Sequence, residues 1–288
     1  MTGLSPLPSM AAVPKPSVKK YQGQSSLFSK QLLAFYRRVS QSTLTVVDVE
    51  TTGSVAYKSN VIEVSVLKAN LTDGILQQET SLINPTGKVP PFITKITGIT
   101  TAMVSKAPFP EEVWADYEPL LKQDVLTAHN LEFDYGFLQS EYKRLDVHYY
   151  RPPSHRFCTV LLSRLMLADL PSRSLPDLVR HFGFDVGASH RAGADTKACW
   201  LLAEILLNRI QQEPEEKILG LFRQQWIRLQ DAAAMFGQRK KDVLDVLIKA
   251  GLEHRLSKRQ QQPLFRRGDV EDVFYEMRGE QLSVLGES

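Results

Sequence analysis

The chain has 288 residues, 43% of them hydrophobic and 23% charged, with a formal net charge of +3. That composition is ordinary for a globular protein, and the length suits one good core plus a second small unit. It excludes a membrane-spanning helix, since no apolar run approaches roughly 20 residues, and a disulfide framework, since Cys158 and Cys199 are the only cysteines and lack zinc-ligand spacing.

The N-terminus lacks the apolar stretch of a secretory signal, so a reducing, bacterial-type cytoplasm is the expected location. No Asp or Glu precedes Asp48, whereas Lys15, Lys19, Lys20, Lys30, Arg37 and Arg38 do. Residues 1–23 are rich in Pro, Ser, Gly and Lys without periodicity and read as a disordered basic arm; with a short helix after it, this arm fills residues 1–41. The same acid-free composition also fits an organelle transit peptide. Gln24-Ser25-Ser26-Leu27-Phe28 resembles the Gln-x-x-Leu-Phe peptide by which bacterial polymerase-associated proteins dock on the sliding clamp, a Leu-Phe anchor entering an apolar pocket. The alternative is a helix start, because Phe28, Leu32, Phe35 and Tyr36 share one helical face. Gln261–Phe265 fits the same short pattern.

Thr43–Gly53, TLTVVDVETTG, is a β-branched run that predicts a strand, yet it carries Asp48 and Glu50. Strand side chains alternate, so residues two apart share a face. Two carboxylates that close repel unless a cation lies between them, and Mg²⁺ or Mn²⁺ suits an all-oxygen pair. A solvated strand face carrying two acids is the competing reading. Asn60–Leu67 and Ile75–Ile83 read as the next strands, Pro90–Ile96 and Pro110–Lys122 as helices opened by proline. Val125–Ala128 is a brief strand, Leu131–Leu145 a helix, and Phe157–Val160 a last strand. Helical stretches follow at Leu161–Ala168, Leu175–Phe182 and Ala192–Ile210. Strands first, then alternation with helices, imply an α/β domain with a mixed sheet over residues 42–210.

Two later segments bring further chemistry. His129-Asn130-Leu131-Glu132-Phe133-Asp134 crosses from a strand end into a helix, where an acid is also an ordinary dipole partner. His129 and Asn130 there suit a helix cap. His190-Arg191-Ala192-Gly193-Ala194-Asp195 pairs a loop histidine with a helical acid, and its small residues permit close backbone approach. Asp48, Glu50, Asp134, His190 and Asp195 together resemble the DEDDh group of 3′–5′ exonucleases, the DnaQ-like superfamily of the DNA polymerase III epsilon subunit. The resemblance spans about Ser42 to Leu207. It includes Asp-x-Glu-Thr-Thr-Gly at 48–53, Pro-Phe-Ile-Thr-Lys-Ile-Thr-Gly-Ile-Thr at 91–100, His-Asn-x-x-Phe-Asp at 129–134 and His-Arg-Ala-x-x-Asp at 190–195. Cys158-Thr159 departs from the family's usual Asp-Thr, which is not a metal ligand there.

The resemblance implies an RNase H-like fold around a five-stranded mixed sheet. It implies two divalent ions, Mg²⁺ or Mn²⁺, held by Asp48, Glu50, Asp134 and Asp195, with His190 as the base that takes the water's proton. An imidazole suits that work because it ordinarily titrates near neutral pH. Thr51 and Thr52 would lie beside the 3′-terminal nucleotide, Asn130 and Phe133 near the penultimate one. The expected substrate is the single-stranded 3′ end of DNA, in replication or repair. An RNA exonuclease of the same superfamily and a non-catalytic nucleic-acid-binding regulator are the rivals.

Residues 211–225 are polar, contain Pro214 and read as a linker. From Trp226 on, Ala232–Phe236, a turn at Gly237 and an amphipathic Lys241–Ala250 make a helix-turn-helix pattern. A basic stretch from Arg255 to Arg267 suggests a hairpin before a last helix at Gly268–Met277. Residues 226–288 resemble the small winged helix-turn-helix module of excisionase and MerR-type proteins. Arg239, Lys240, Lys241, Lys258, Arg259, Arg266 and Arg267 are its candidate phosphate contacts. Asp242, Asp245 and Glu253 dilute that face, which leaves a packing module as the alternative.

Overall fold

The computed structural model describes residues 24–187, 189–257 and 261–286. The basic arm at residues 1–23, with its transit-peptide alternative, and the candidate contacts Lys258 and Arg259 lie outside them. After a single 3₁₀ turn at Gln24–Ser26 the chain forms α1 (Ser29–Val39), β1 (Leu44–Thr51), β2 (Val61–Asn70) and β3 (Gly74–Leu82). Then come α2 (Pro91–Thr97), α3 (Thr101–Val104), α4 (Pro110–Leu121), β4 (Val125–Ala128), α5 (Leu131–Arg144) and β5 (Arg156–Cys158). The domain closes with α6 (Thr159–Met166), α7 (Leu175–Phe182), α8 (Ala192–Gln212) and α9 (Glu215–Arg223).

The five strands form one mixed sheet in the order β3-β2-β1-β4-β5. The β1–β2 and β2–β3 pairs are antiparallel; β1–β4 and β4–β5 are parallel. Central β1 buries Val46, Val47 and Val49, which accounts for its nearly unbroken apolar run. Edge strand β3 carries Gln77, Gln78, Glu79 and Thr80 toward solvent, as an edge should. One face of the sheet is covered by α1, α6, α8 and α9, the other by α4 and α5.

Two expectations change here. Helix α1 lies before the expected domain start at 42, yet Leu32, Leu33, Tyr36 and Val39 are buried in the same core as α8. Residues 211–225, read as a linker, are largely helical. Helix α8 runs through the first two of them, and α9 follows behind the cap at Pro214 with Ile218 and Phe222 fully buried. The polar average of that window hid two apolar residues spaced i, i+4, which is all one short helix needs to pack.

Beyond α9 lie β6 (Trp226–Arg228), α10 (Leu229–Phe236), α11 (Lys240–Lys249), β7 (His254–Leu256), β8 (Pro263–Arg266) and α12 (Arg267–Gly286). Gly237 turns the chain between α10 and α11 at φ 66°, a region a side chain disfavours. A three-stranded sheet in the order β6-β8-β7 and a separate core around Ile227, Val243, Leu247, Phe265 and Val270 hold this unit together. Lys240 and Lys241 are exposed, whereas Arg239 is paired with Asp242.

Arg267 is not a surface cation at all. It is fully buried, and its guanidinium donates to the carbonyls of Leu27 and Ser25 and to Gln225 Oε1. Glu271 beside it accepts from the backbone and hydroxyl of Ser29. The clamp-like segment is therefore seated on its own protein. Gln24 Nε2 donates to the Arg156 carbonyl at 2.7 Å, and Phe28 packs at a tilt against Phe274 with ring centroids 4.7 Å apart. Phe28 caps α1, which fits the helix-start reading of this stretch.

Candidate active site

Asp48 and Glu50 project from one face of β1, as the two-residue spacing requires. The register places Asp48 opposite Ser65 and Glu50 opposite Glu63, and it shifts between Glu50 and Thr51, a bulge of the kind that re-aims side chains. Asp134 sits in the first turn of α5, buried, and its Oδ1 accepts from the Val49 backbone N–H at 3.3 Å. That bond ties α5 to β1 at the site. Asp195 lies in the first turn of α8, where its Oδ2 accepts from the His190 N–H at 3.1 Å. His190 itself has φ +63°, an uncommon conformation for a non-glycine residue, and its ring is exposed.

Glu50, His190 and Asp195 each offer a ligand atom, and these atoms lie within 4.8 Å of one another. Asp48, Asn130, His190 and Asp195 line one cleft of about 710 Å³. Burial and crowding raise the acids. Burial first, then Asp134, pushes the Asp48 carboxyl well up from its ordinary value. Burial also raises Asp134 against the opposing Val49 bond. Glu50 is pushed up to about 7 by burial, Asp195 and Glu63, with Arg191 opposing. Asp195 rises through burial, against the His190 N–H. An all-oxygen set this crowded, with one imidazole at its rim, fits a divalent cation, which would relieve the repulsion that protons otherwise relieve.

The remaining expected substrate residues divide. Asn130 has φ 76° and is exposed on the cleft. Thr51 and Thr52 spend their hydroxyls on the following turn, Thr51 donating to the Gly53 carbonyl and Thr52 accepting from the Asn60 N–H. Phe133 packs on Phe137 at 4.9 Å. Among the described residues, those three are not part of the cleft lining.

Glu63 escaped the sequence reading. It is buried on β2, and its carboxylate accepts a two-nitrogen grip from Arg191, with Nη2 at 2.6 Å, plus the Ala192 N–H at 2.9 Å. It thereby fixes the start of α8, which carries Asp195. A lone acid inside Val61–Leu67 is the signal that could have found it. Close approach at the small residues is real: a Cβ on Gly193 would meet Thr80 Oγ1 at 3.1 Å, and Gln78 donates to the Gly193 carbonyl at 2.7 Å. His129 does more than cap a helix, since both of its ring nitrogens bridge other elements, Nδ1 to Thr159 Oγ1 and Nε2 to the Arg173 carbonyl. Burial lowers its pKa to about 4, so it is neutral and structural at pH 7.

Fold and site together define a class: an α/β nuclease domain with a carboxylate centre at the end of its central strand. Residues 45–203, more than half of the chain, match the exonuclease family, and the chain belongs to it. This is a 3′–5′ exonuclease domain of the DEDDh, DnaQ-like kind with an RNase H-like fold. The DNA polymerase III subunit epsilon of Aquifex aeolicus (strain VF5) is 32% identical over 171 residues, 59% of this chain and 81% of that protein. The PolC-type DNA polymerase III of Bacillus subtilis (strain 168) is 32% identical over 186 residues, 64% of this chain but 12% of that protein. The first curated relatives are matched over 27% and 12% of their own length. Among solved structures, the zinc-bound complex of E. coli ExoI with single-stranded DNA shares the fold with a TM-score of 0.55 at 20% identity, over 64% of this chain and 43% of that one. No described helix is long and apolar enough to cross a membrane.

Proposed function

We propose that the protein is a metal-dependent enzyme that removes nucleoside monophosphates from single-stranded 3′ ends of DNA, in proofreading or repair. The observation that carries this reading is the convergence of Asp48, Glu50, Asp134 and Asp195 from three elements, close enough for Asp134, Asp195 and Glu50 all to raise the Asp48 carboxyl, with Asp48, Asp195 and an exposed His190 on one cleft. The four carboxylates would hold two divalent ions, Mg²⁺ or Mn²⁺. When bound, such ions offset the charge that builds on an already anionic phosphodiester during attack by water. His190, on a loop whose backbone is tied to Asp195, takes the proton of the attacking water. Asn130 on the cleft and Phe133 behind it lie toward the penultimate nucleotide, and Thr51 and Thr52 shape the turn beside the terminal one. Glu63 and Arg191 hold α8 so that Asp195 stays in place.

The choice of DNA is supported by the polymerase relatives and by the C-terminal unit. There a helix pair, a hairpin and the exposed Lys240 and Lys241 support the reading of a small module of winged helix-turn-helix type. A polymerase or sliding clamp is the partner that Gln24–Phe28 would recruit, once released from α12. The test is digestion of 5′-labelled single-stranded DNA and matched RNA with Mg²⁺ or EDTA, with Asp48→Ala beside the wild type. A 3′-shortening ladder on DNA, lost in EDTA and reduced about a thousandfold or more in the variant, is expected. A ladder mainly on RNA moves the substrate to RNA; no ladder on either refutes the enzymatic reading.

A further inference from the structure

The cleft that contains Asp48, His190 and Asp195 has a second, cationic wall. Arg164, on α6, and Arg173, on the loop between α6 and α7, both line it. Arg164 is exposed and forms no ion pair among the described residues. Arg173 donates through Nη2 to the Ala168 carbonyl at 2.7 Å, while its Nε is buried with no hydrogen-bond partner among the described residues. An arginine is always charged, and an N–H buried without an acceptor is costly to leave so. Asp48 and Asp195 share the cleft, yet among the described residues neither guanidinium pairs with one of them.

The wall is built rather than incidental. A backbone carbonyl can only accept, so His129 Nε2 carries the proton that goes to the Arg173 carbonyl, and Nδ1 accepts from the Thr159 hydroxyl. A neutral, largely buried histidine thus pins the Arg173 loop to the β4–α5 corner, beside Asn130. The guanidinium fork matches the geometry of a phosphate, and a polyanion is what leaves carboxylates to metal ions and arginines to phosphate.

We infer that Arg164 and Arg173 grip a backbone phosphate of the incoming nucleic-acid strand, upstream of the bond that is cut. The substrate class rests on the exonuclease reading; the grip itself can be measured without turnover. The arginines bind ground state and transition state alike, so they act on affinity and not on the chemical step.

The experiment is anisotropy of a 5′-fluorescein single-stranded DNA on the full chain, with Ca²⁺ in place of Mg²⁺, at several salt concentrations. Steady-state digestion with Mg²⁺ runs beside it. Arg164→Gln, which breaks no bond seen in the structure, and Arg173→Gln are each expected to raise Kd and KM about tenfold, with kcat held within about twofold. The slope of log K against log salt becomes shallower by about 0.7 for each phosphate no longer neutralised. Arg164→Lys restores the slope but not the full affinity, because it keeps the charge and loses the fork. Lys106→Gln, off the cleft, serves as the control. Unchanged Kd and slope in Arg164→Gln overturn the inference, as does a fall in kcat at constant KM, or an equal effect in Lys106→Gln. Weakened binding by the arginine variants, beside a wild type that digests nothing, would sustain the grip and sink the exonuclease reading; normal digestion with indifferent arginines would do the reverse.

Discussion

Replacing Glu50 by Gln should make the metal-free protein more stable while destroying its activity. Glu50 faces Glu63 across the β1–β2 ladder and lies near Asp195, in a half-buried position. Carrying its carboxyl from an ordinary 4.5 to about 7 costs about 3 kcal/mol once the group is ionised in both states. Partial exposure screens the site, so about 1–3 kcal/mol is expected. The folded state holds this proton more tightly than the unfolded chain. The penalty is therefore fully present above pH 7 and disappears as pH falls toward 4.5. Denaturant and thermal unfolding in EDTA at pH 8 should show Glu50→Gln above the wild type, with Tm higher by about 2–4 °C per kcal/mol. The gap should close near pH 5. Adding Mg²⁺ should stabilise the wild type and leave the variant unmoved. A variant no more stable than the wild type at pH 8 in EDTA, or a gap that ignores pH, would refute the account of a carboxylate cluster under repulsion.

Glu63→Gln weakens the grip on Arg191 and loosens the start of α8, costing about 1–3 kcal/mol because Arg191 reaches water; unchanged stability and unchanged digestion would remove its positioning role. His129 has its folded pKa depressed to about 4 from 6.5, so the wild type loses up to about 3 kcal/mol as pH falls between those values. His129→Gln should lack that loss, and an imidazole NMR titration with a midpoint above 6 would contradict it. Arg267→Ala leaves the carbonyls of Ser25 and Leu27 and the side-chain oxygen of Gln225 without their buried donor, costing about 3 kcal/mol or more by urea unfolding. If Gln24–Phe28 docks on a sliding clamp, that same variant binds the clamp more tightly and Leu27→Ala with Phe28→Ala abolishes binding; indifference to both rejects the docking.

Much of the sheet and its helices was legible because periodicity is local. The run at Thr43–Gly53 reads as a strand, and Asp48 and Glu50 two residues apart share a face by the geometry of any strand. Helix α7 begins behind Ser174 and ends at Gly183, both visible as punctuation. Helix α9 is hidden from such a reading because two buried residues, Ile218 and Phe222, are outvoted by polar neighbours in any window average.

By itself the sequence determined the order of elements, the mixed α/β character and the residue types able to hold a cation. These depend on spacing along one strand or one helix. Only the tertiary structure decided that Asp134 leans back onto Val49, that Glu63 clasps Arg191, and that Arg267 is sealed against residues 25–29. Each of those contacts joins residues far apart in the chain. Burial, charge pairing and backbone satisfaction at such points are properties of what the folded chain brings together, and no local pattern encodes them.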